Sequence, residues 1–229
     1  MTIDIGVLQS VPYFSNLDRE ELESIRPYVF ERSYRKGDLI LLEEEEEAEA
    51  VYFVVSGAAK AFKTSAEGKE QILCILRAGE SFNDVPVFDG GPNPASVTAM
   101  TPLTLYGVGK LDVEAILRGH PNVAMNVIRL LAEKVRHFVG MVEDLSFRHV
   151  TGRVARLLLK YAGDHQDGGG STPGPRLTQQ DMAAMVGTAR EVVGRSLKAL
   201  EEDGAIKMDR HRIVIADKEL LERMSGAVS

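Results

Sequence analysis

The sequence is poor in cysteine and in long apolar runs, and each shortage excludes a class of protein. Cys74 is the only cysteine, which excludes an internal disulfide framework and a zinc or iron–sulfur site with four thiolates from one chain. The longest apolar runs, 51–55 and 72–76, are far too short to span a bilayer. The first ten residues contain no basic segment followed by a long apolar stretch. We therefore expect a cytoplasmic protein without a membrane segment.

Motifs for catalysis and metal binding are also missing. The sequence contains no nucleophile–base pair, no metal-ligand spacing and no glycine-rich phosphate loop such as GxxxxGKS, so an enzyme is disfavoured. The acidic run 43–47 is a candidate cation site. Because adjacent carboxylates repel one another and do not converge on one point, a solvated surface loop is favoured over that site.

The net charge of −7 is unevenly distributed along the 229 residues. Residues 1–148 contain 15 Lys and Arg against 23 Asp and Glu, whereas residues 149–229 contain 12 against 11. The acidity therefore belongs to the N-terminal part, and the C-terminal part remains compatible with nucleic-acid binding. The length favours two modest domains.

The N-terminal part changes from helical to β-rich. Asp18 offers a helix cap, with Leu22 and Ile25 on one side of the short helix that follows. From residue 34 to residue 108, turn residues then interrupt short β-rich runs at close intervals. This regular spacing predicts an all-β sandwich or barrel.

A long amphipathic helix is predicted after the β-rich region. Its apolar residues recur in alternating steps of four and three, which is the seam of a coiled coil. The seam residues are Ala124, Ile128, Leu131, Val135, Phe138, Val142 and Leu145. A helix of ~25 residues extends nearly 40 Å and is longer than a small barrel. The seam either packs on the chain's own barrel or pairs with a second copy, and the sustained spacing favours the pair.

Two helices joined by a very short link are predicted near the C-terminus. Thr178 and Asp181 have the spacing of a capping box, and the amphipathic helix that follows stops at Gly187. The next helix starts at once, so the two helices cross steeply. This is the layout of a helix-turn-helix, in which the second helix enters the major groove of DNA.

The second of these helices has an apolar arc and a free arc. At roughly 100° per residue, Val193, Leu197 and Leu200 fall together on one side. The free arc contains Glu191, Gly194, Arg195 and Lys198, with Arg190 beside it. Arginine can donate twice to guanine, and glutamate can accept from the cytosine amino group. We therefore predict that Arg190, Glu191 and Arg195 read bases, with Gly194 allowing close approach.

Two structural alternatives compete with base reading. Glu191 is the fourth residue of Thr188-x-x-Glu191 and could close a capping box, or it could pair with Arg195 one turn away. The segment 204–215 favours DNA reading, because it resembles a two-stranded wing with Arg210, His211 and Arg212 at its tip.

The C-terminal pattern resembles the CRP/FNR family of bacterial transcription regulators. Its most specific element runs from Leu177-Thr178-x-x-Asp181 through Arg190-Glu191-x-Val193-x-Arg195 to Gly204-x-Ile206. The segments 52–57 and 150–155 are also similar to the family. The resemblance implies an α+β protein with an N-terminal double-stranded β-roll effector domain (1–110), a connecting and dimerisation helix (111–146) and a C-terminal winged helix-turn-helix (147–229). It places a hinge near residues 145–146.

The same resemblance implies how the protein acts. The expected function is a sequence-specific, homodimeric transcription regulator that binds a palindromic operator with GTGA-like half-sites and contacts RNA polymerase. By the resemblance, Arg190, Glu191 and Arg195 are the residues that read bases. The expected contacts to the DNA backbone are Thr178, Thr188, Lys198, Arg210 and Arg212.

The effector region departs from the family pattern. Where cyclic-nucleotide binders have Phe-Gly-Glu and Arg-Ser-Ala, this chain has Phe82-Asn83-Asp84 and Pro94-Ala95-Ser96. The expected pocket residues are Asn83, Asp84, Pro94, Ala95, Phe138 and Val139. The arginine that grips the cyclic phosphate is replaced by proline, and the adenine-contacting hydroxyls by Phe138 and Val139. Because an uncompensated buried phosphate is costly, cyclic AMP is not the expected effector.

Other sensor chemistries and another function class remain alternatives. His137 and Met141 are four residues apart and could share a haem iron, although such side chains more often only pack. Cys74 is either a redox sensor or a small buried hydrophobe. The whole chain could also be an effector-binding module that regulates a protein partner, an idea supported by its low overall basicity.

Overall fold

The computed structural model describes residues 3–45, 50–162, 177–209 and 212–226. The chain divides into two compact units. The first comprises the described residues within 1–63 and 73–136, and the second those within 64–72 and 137–229. No described helix is long and apolar enough to cross a membrane.

Two short helices open the first unit. Helix α1 (Ile5–Ser10) is followed by a 3-10 turn (Pro12–Phe14), and helix α2 (Arg19–Ile25) by a second one (Arg26–Tyr28). The Asp18 side chain accepts from the Glu21 amide at 2.9 Å, and the Glu21 side chain accepts from the Asp18 amide at 2.9 Å. This reciprocal capping box confirms the predicted start of α2.

Within the described part of residues 29–109, eight strands form two four-stranded sheets, as the turn spacing predicts. The strands are β1 (Val29–Tyr34), β2 (Leu39–Leu41), β3 (Ala50–Ser56), β4 (Ala58–Thr64), β5 (Glu70–Arg77), β6 (Ser81–Phe82), β7 (Ser96–Ala99) and β8 (Leu103–Gly109). Their order is β1-β8-β3-β6 in one sheet and β2-β7-β4-β5 in the other. The turn between β3 and β4 requires glycine, because a Cβ on Gly57 would lie 2.1 Å from the Pro102 carbonyl oxygen. The double-sheet β-roll expected from the resemblance is confirmed.

Strand β3 contributes to two separate cores. Val51 and Phe53 pack with the N-terminal helices, whereas Tyr52 and Val54 pack into the cluster between the two sheets. Because successive side chains of a strand point to opposite faces, burial of both faces explains the uninterrupted apolar sequence of β3.

Three helices complete the first unit and lead into the second. They are α3 (Asp84–Asp89), α4 (Lys110–Gly119) and α5 (Pro121–Phe147). The 27 residues of α5 confirm the predicted long helix. Leu145 and Ser146 still lie inside α5, and the helix breaks only at Arg148 and His149.

The second unit ends in a winged helix-turn-helix. It contains α6 (Val150–Ala162), α7 (Gln179–Val186), α8 (Arg190–Glu202), strands β9 (Ile206–Asp209) and β10 (Arg212–Ile215), and α9 (Lys218–Met224). The two strands pair antiparallel, with Arg212 opposite Asp209. Buried side chains from α6, α7, α8 and α9 form one core cluster, so the predicted architecture is confirmed here as well.

Candidate nucleic-acid interface and effector region

The first helix of the motif, α7, has defined ends. The Thr178 hydroxyl accepts from the Asp181 amide at 3.1 Å, and the Thr178 amide donates to the Asp181 carboxylate at 2.9 Å. At the other end, Gly187 has a φ of +68°, in the left-handed region that favours glycine. The predicted capping box and glycine stop are therefore confirmed, and they fix where α8 begins.

Helix α8 presents its charged arc to solvent. Val193, Leu197 and Leu200 are buried in the core of the second unit. Arg190, Glu191, Arg195 and Lys198 are all exposed. Helix α8 therefore has the buried and exposed sides that helical periodicity predicts. Its exposed arc combines guanidinium donors with one carboxylate acceptor.

The structure contradicts both structural alternatives for Glu191. Helix α8 is capped by Ala189, without a side-chain hydrogen bond, so Thr188 and Glu191 form no capping box. Within the described residues, no ion pair joins Glu191 to Arg195. Both interpretations fail because the helix starts one residue later than a Thr188 cap needs, and because the two exposed side chains remain in solvent.

The proposed backbone contacts differ in their surroundings. Thr178 and Arg212 are exposed, whereas Thr188 is half-buried. The Lys198 ammonium lies 3.6 Å from Glu202, and both side chains are largely exposed, so this pair is weakly held. Arg210, with His211, falls outside the described residues.

Helix α5 has an apolar stripe that its own chain leaves exposed. The members that are between 42% and 63% exposed are Met125, Ile128, Val135, Phe138, Val139, Val142 and Leu145. Leu131, another residue of the predicted seam, is half-buried against the core of the first unit. The early turns of α5 also bury Val123 and Val127 in that core. Heptad spacing alone does not show where along α5 this core ends, so it could not distinguish Leu131 from the exposed seam residues.

The two segments expected to form the effector pocket, 82–84 and 94–96, contain one charged residue, Asp84. Asn83 adopts a left-handed conformation with φ of +66°, and its side-chain amide donates to the Ala50 carbonyl at 2.8 Å. Pro94 is exposed and Ala95 half-buried. The Ser96 hydroxyl accepts from the Glu43 amide at 3.0 Å. Residues 94–96 thus supply no cation.

The Asp84 carboxylate is held by three side chains. Asp84 is buried, and it accepts from the Tyr13 hydroxyl, from the Ser81 hydroxyl at 3.0 Å and from the Lys134 ammonium. Lys134 also donates to the Ser81 carbonyl at 2.9 Å. Burial, together with the Asp84 charge, raises the pKa of Tyr13 far above its ordinary value. The cluster joins the N-terminal segment, the β6–α3 turn and α5.

Sequence reasoning missed Tyr13 and Lys134 as partners of Asp84. Tyr13 is 71 residues and Lys134 50 residues away along the chain. Lys134 follows the ordinary pattern of a polar position between Leu131 and Val135, so no local signal separated it from a solvated lysine.

The remaining sensor candidates lie on different elements. His137 and Met141 are half-buried on α5, and the His137 ring packs 5.6 Å from the Phe138 ring. Cys74 packs against the cluster between the sheets. Glu43 of the acidic run forms an ion pair with Lys63 at 2.7 Å, while residues 46–49 are outside the described ranges. Across the described chain, no three His, Cys, Asp or Glu side chains are grouped to hold a metal ion.

Comparisons with protein families match both parts of the chain. Residues 31–120 match the cyclic nucleotide-binding domain, and residues 152–224 match the Crp-like helix-turn-helix domain. Between them lies the whole of α5, which neither match includes.

Similar proteins cover almost the whole chain. The cyclic AMP receptor protein of Thermus thermophilus is 31% identical over 218 residues, 95% of this chain and 98% of that protein. The CRP-like cAMP-activated global transcriptional regulator of Mycobacterium tuberculosis is 28% identical over 219 residues, 95% of this chain and 97% of that protein. Among solved structures, FixK2 from Bradyrhizobium japonicum has a TM-score of 0.75 at 26% identity, over 88% of this chain and 99% of that chain. The chain therefore belongs to the CRP/FNR family, and it is a transcription regulator rather than an enzyme, with a cyclic nucleotide-binding domain followed by a helix-turn-helix DNA-binding domain.

Proposed function

We propose that this regulator acts in the cytoplasm as a homodimer on palindromic DNA with GTGA-like half-sites. Arg190, Glu191 and Arg195 read base edges. The DNA backbone is contacted by Thr178, Thr188, Lys198, Arg210 and Arg212. Once bound at a promoter, the dimer contacts RNA polymerase, in keeping with the name "global transcriptional regulator" that a relative carries.

The exposed arc of α8 is the observation that supports base reading best. Its buried side anchors the helix through Val193, Leu197 and Leu200. Its free side projects two arginines and one glutamate that have no partner among the described side chains. Bidentate arginine and an acceptor glutamate are the groups that distinguish guanine and cytosine in the major groove.

The apolar stripe of α5 supports the dimer. Five of the seven predicted seam residues are exposed, namely Ile128, Val135, Phe138, Val142 and Leu145. A continuous apolar stripe on a long helix is costly in water and matches the seam of a second copy, because both copies present the same four-three spacing. A palindromic operator follows from the two-fold symmetry of such a pair.

Cyclic AMP is not the effector in this proposal, although two relatives are named for it. The Lys134 ammonium beside this turn is bound to Asp84 and Ser81. Pro94 brings no positive charge. A cyclic phosphate placed here would meet the paired Asp84 carboxylate, and residues 94–96 would supply it no cation, which disfavours its burial.

A salt-dependent titration tests DNA reading. The full-length protein is titrated on a duplex with a GTGA-containing palindrome and on a scrambled duplex, each at several salt concentrations. We expect affinity to fall with salt on both duplexes and to be at least ~10³-fold higher on the palindrome. Equal, salt-insensitive binding would contradict the proposal and favour a regulatory module that acts on a protein partner.

A further inference from the structure

A single carboxylate connects three consecutive elements at the end of α5. Asp144 lies in the last turns of α5, and its Oδ1 atom accepts from the Arg148 Nε at 2.7 Å and from an Arg156 terminal nitrogen at 2.8 Å. Arg148 is in the two-residue link and Arg156 is in α6. The Asp144 and Arg148 side chains are only 22% and 19% exposed. We call these three residues the junction cluster.

The junction cluster extends to the helix-turn-helix through the link itself. The Arg148 side chain also donates to the Ser225 carbonyl after α9. In the other direction, the Arg148 carbonyl accepts from an Arg153 terminal nitrogen at 2.7 Å, and the Arg153 Nε donates to the Val186 carbonyl at 2.8 Å. The link is therefore tied to the end of α7, where the turn before the recognition helix begins.

Helix α6 is in turn fixed to the recognition helix α8. The Thr151 hydroxyl lies 3.1 Å from the Ser196 hydroxyl, and Ser196 is buried. A Cβ on Gly152 would lie 3.3 Å from the Met224 carbonyl oxygen, so α6 also approaches the end of α9 closely. A rotation at the link would carry α8 with it, because α6, α8 and α9 share one hydrophobic core.

We propose that the junction cluster sets the spacing between the two half-sites that the dimer accepts. This inference rests on the proposed function. With α5 paired across the dimer axis, the angle between α5 and α6 decides how far each recognition helix lies from that axis. Helix α6 has 13 residues and is ~20 Å long, so a rotation of ~10° displaces its far end by ~3.5 Å, about the rise of one base pair.

The experiment compares Asp144→Asn with the parent on three kinds of duplex. These are a single half-site, the palindrome at its preferred spacing, and palindromes with one base pair added or removed. We expect the affinity for a single half-site to stay within about twofold of the parent's. The affinity for the palindrome should fall by about tenfold, and the discrimination between spacings by a similar factor, because the second recognition helix is no longer held opposite the second half-site. Glu143→Gln is the matched control, since it removes the same charge one residue earlier, from a carboxylate 3.6 Å from Arg148.

Each outcome either supports or overturns the spacing role. Equal losses on half-site and palindrome, or unchanged spacing discrimination, would overturn it. Asp144→Glu, which keeps the charge, is expected to restore much of the discrimination. If Asp144→Asn fails to fold in a thermal melt, Arg156→Gln replaces it, because Arg156 is 47% exposed and its loss leaves the Arg148 contacts in place.

A measurement without DNA separates this inference from the proposed function. A spin label on Glu202→Cys in a Cys74→Ser background reports the distance between the two α8 helices of the dimer. We expect a narrow distribution that broadens in Asp144→Asn and not in Glu143→Gln. An unchanged distribution would overturn the spacing role even if base reading holds, whereas a broadened one would support it even if the parent discriminates no sequence.

Discussion

Tyr13→Phe tests the buried cluster at Asp84. The variant removes the hydroxyl that donates to Asp84 and leaves the Ser81 and Lys134 contacts. Because Tyr13 is 2% exposed and Asp84 4% exposed, the lost hydrogen bond is not replaced by water. We expect the free energy of unfolding at pH 8 to fall by about 1–3 kcal/mol.

The same hydroxyl gives the cluster a pH dependence of known sign. Burial beside Asp84 raises the pKa of Tyr13 in the folded state, whereas the unfolded chain releases this proton near pH 10. The stabilisation from Tyr13 is therefore complete below pH 10 and is lost as the pH rises towards the folded-state value. At pH 11 the loss amounts to about 1.4 kcal/mol, so the difference between parent and variant should shrink by that amount.

Urea unfolding followed by far-ultraviolet circular dichroism at pH 8, 9, 10 and 11 measures this difference. Tyr28→Phe is the matched control, because its side chain is 44% exposed and its loss reports how alkaline pH affects the assay itself. A parent–variant difference that stays constant from pH 8 to pH 11 would refute the reasoning, since it would mean that Tyr13 is ionised equally easily in both states.

Three further predictions address the dimer, the DNA contacts and the effector. Val135→Asp with Val142→Asp should give a folded monomer in analytical ultracentrifugation, whereas Leu111→Asp, at an 80% exposed leucine outside the stripe, should remain dimeric; a dimeric double variant would contradict the seam. Glu191→Ala and Arg195→Ala should each cost roughly 1–3 kcal/mol on the palindrome and little on scrambled DNA, whereas Arg212→Ala should weaken both and reduce the salt slope by about one; equal losses on both duplexes in the first two would make them structural. Calorimetry should detect no saturable binding of cyclic AMP at micromolar nucleotide, and the purified protein should show no haem absorbance band, so either signal would require a different effector assignment.

Local patterns were sufficient to predict the helix-turn-helix and the long helix. The capping box at Thr178, the stop at Gly187 and the buried side of α8 depend on residues within one or two helical turns of each other, and such short-range periodicity is visible in a sequence. The class of the two-sheet domain was also predictable, because its turns recur regularly. The strand order was not, because it is set by pairings between distant segments.

Contacts between distant segments could not be predicted. The Asp84 cluster brings together three parts of the chain that share no motif. The choice between an own-chain contact for Leu131 and an exposed position for Val135 depends on where the first unit's core ends along α5. Beside the junction cluster, Arg153 belongs to a segment similar to the family, yet its bond to the Val186 carbonyl exists only in the folded chain.

The separation of the hydrophobic cores between the two units affects how the protein melts. Two core clusters belong to the first unit, and a third, which includes Leu200 and Leu221, belongs to the second. Units with their own cores can unfold as separate cooperative blocks, so a calorimetric trace can contain two heat-absorption peaks and no single melting temperature describes the chain. A DNA duplex that binds α8 would then shift only the peak of the second unit, and a change confined to Tyr13 would shift only the peak of the first.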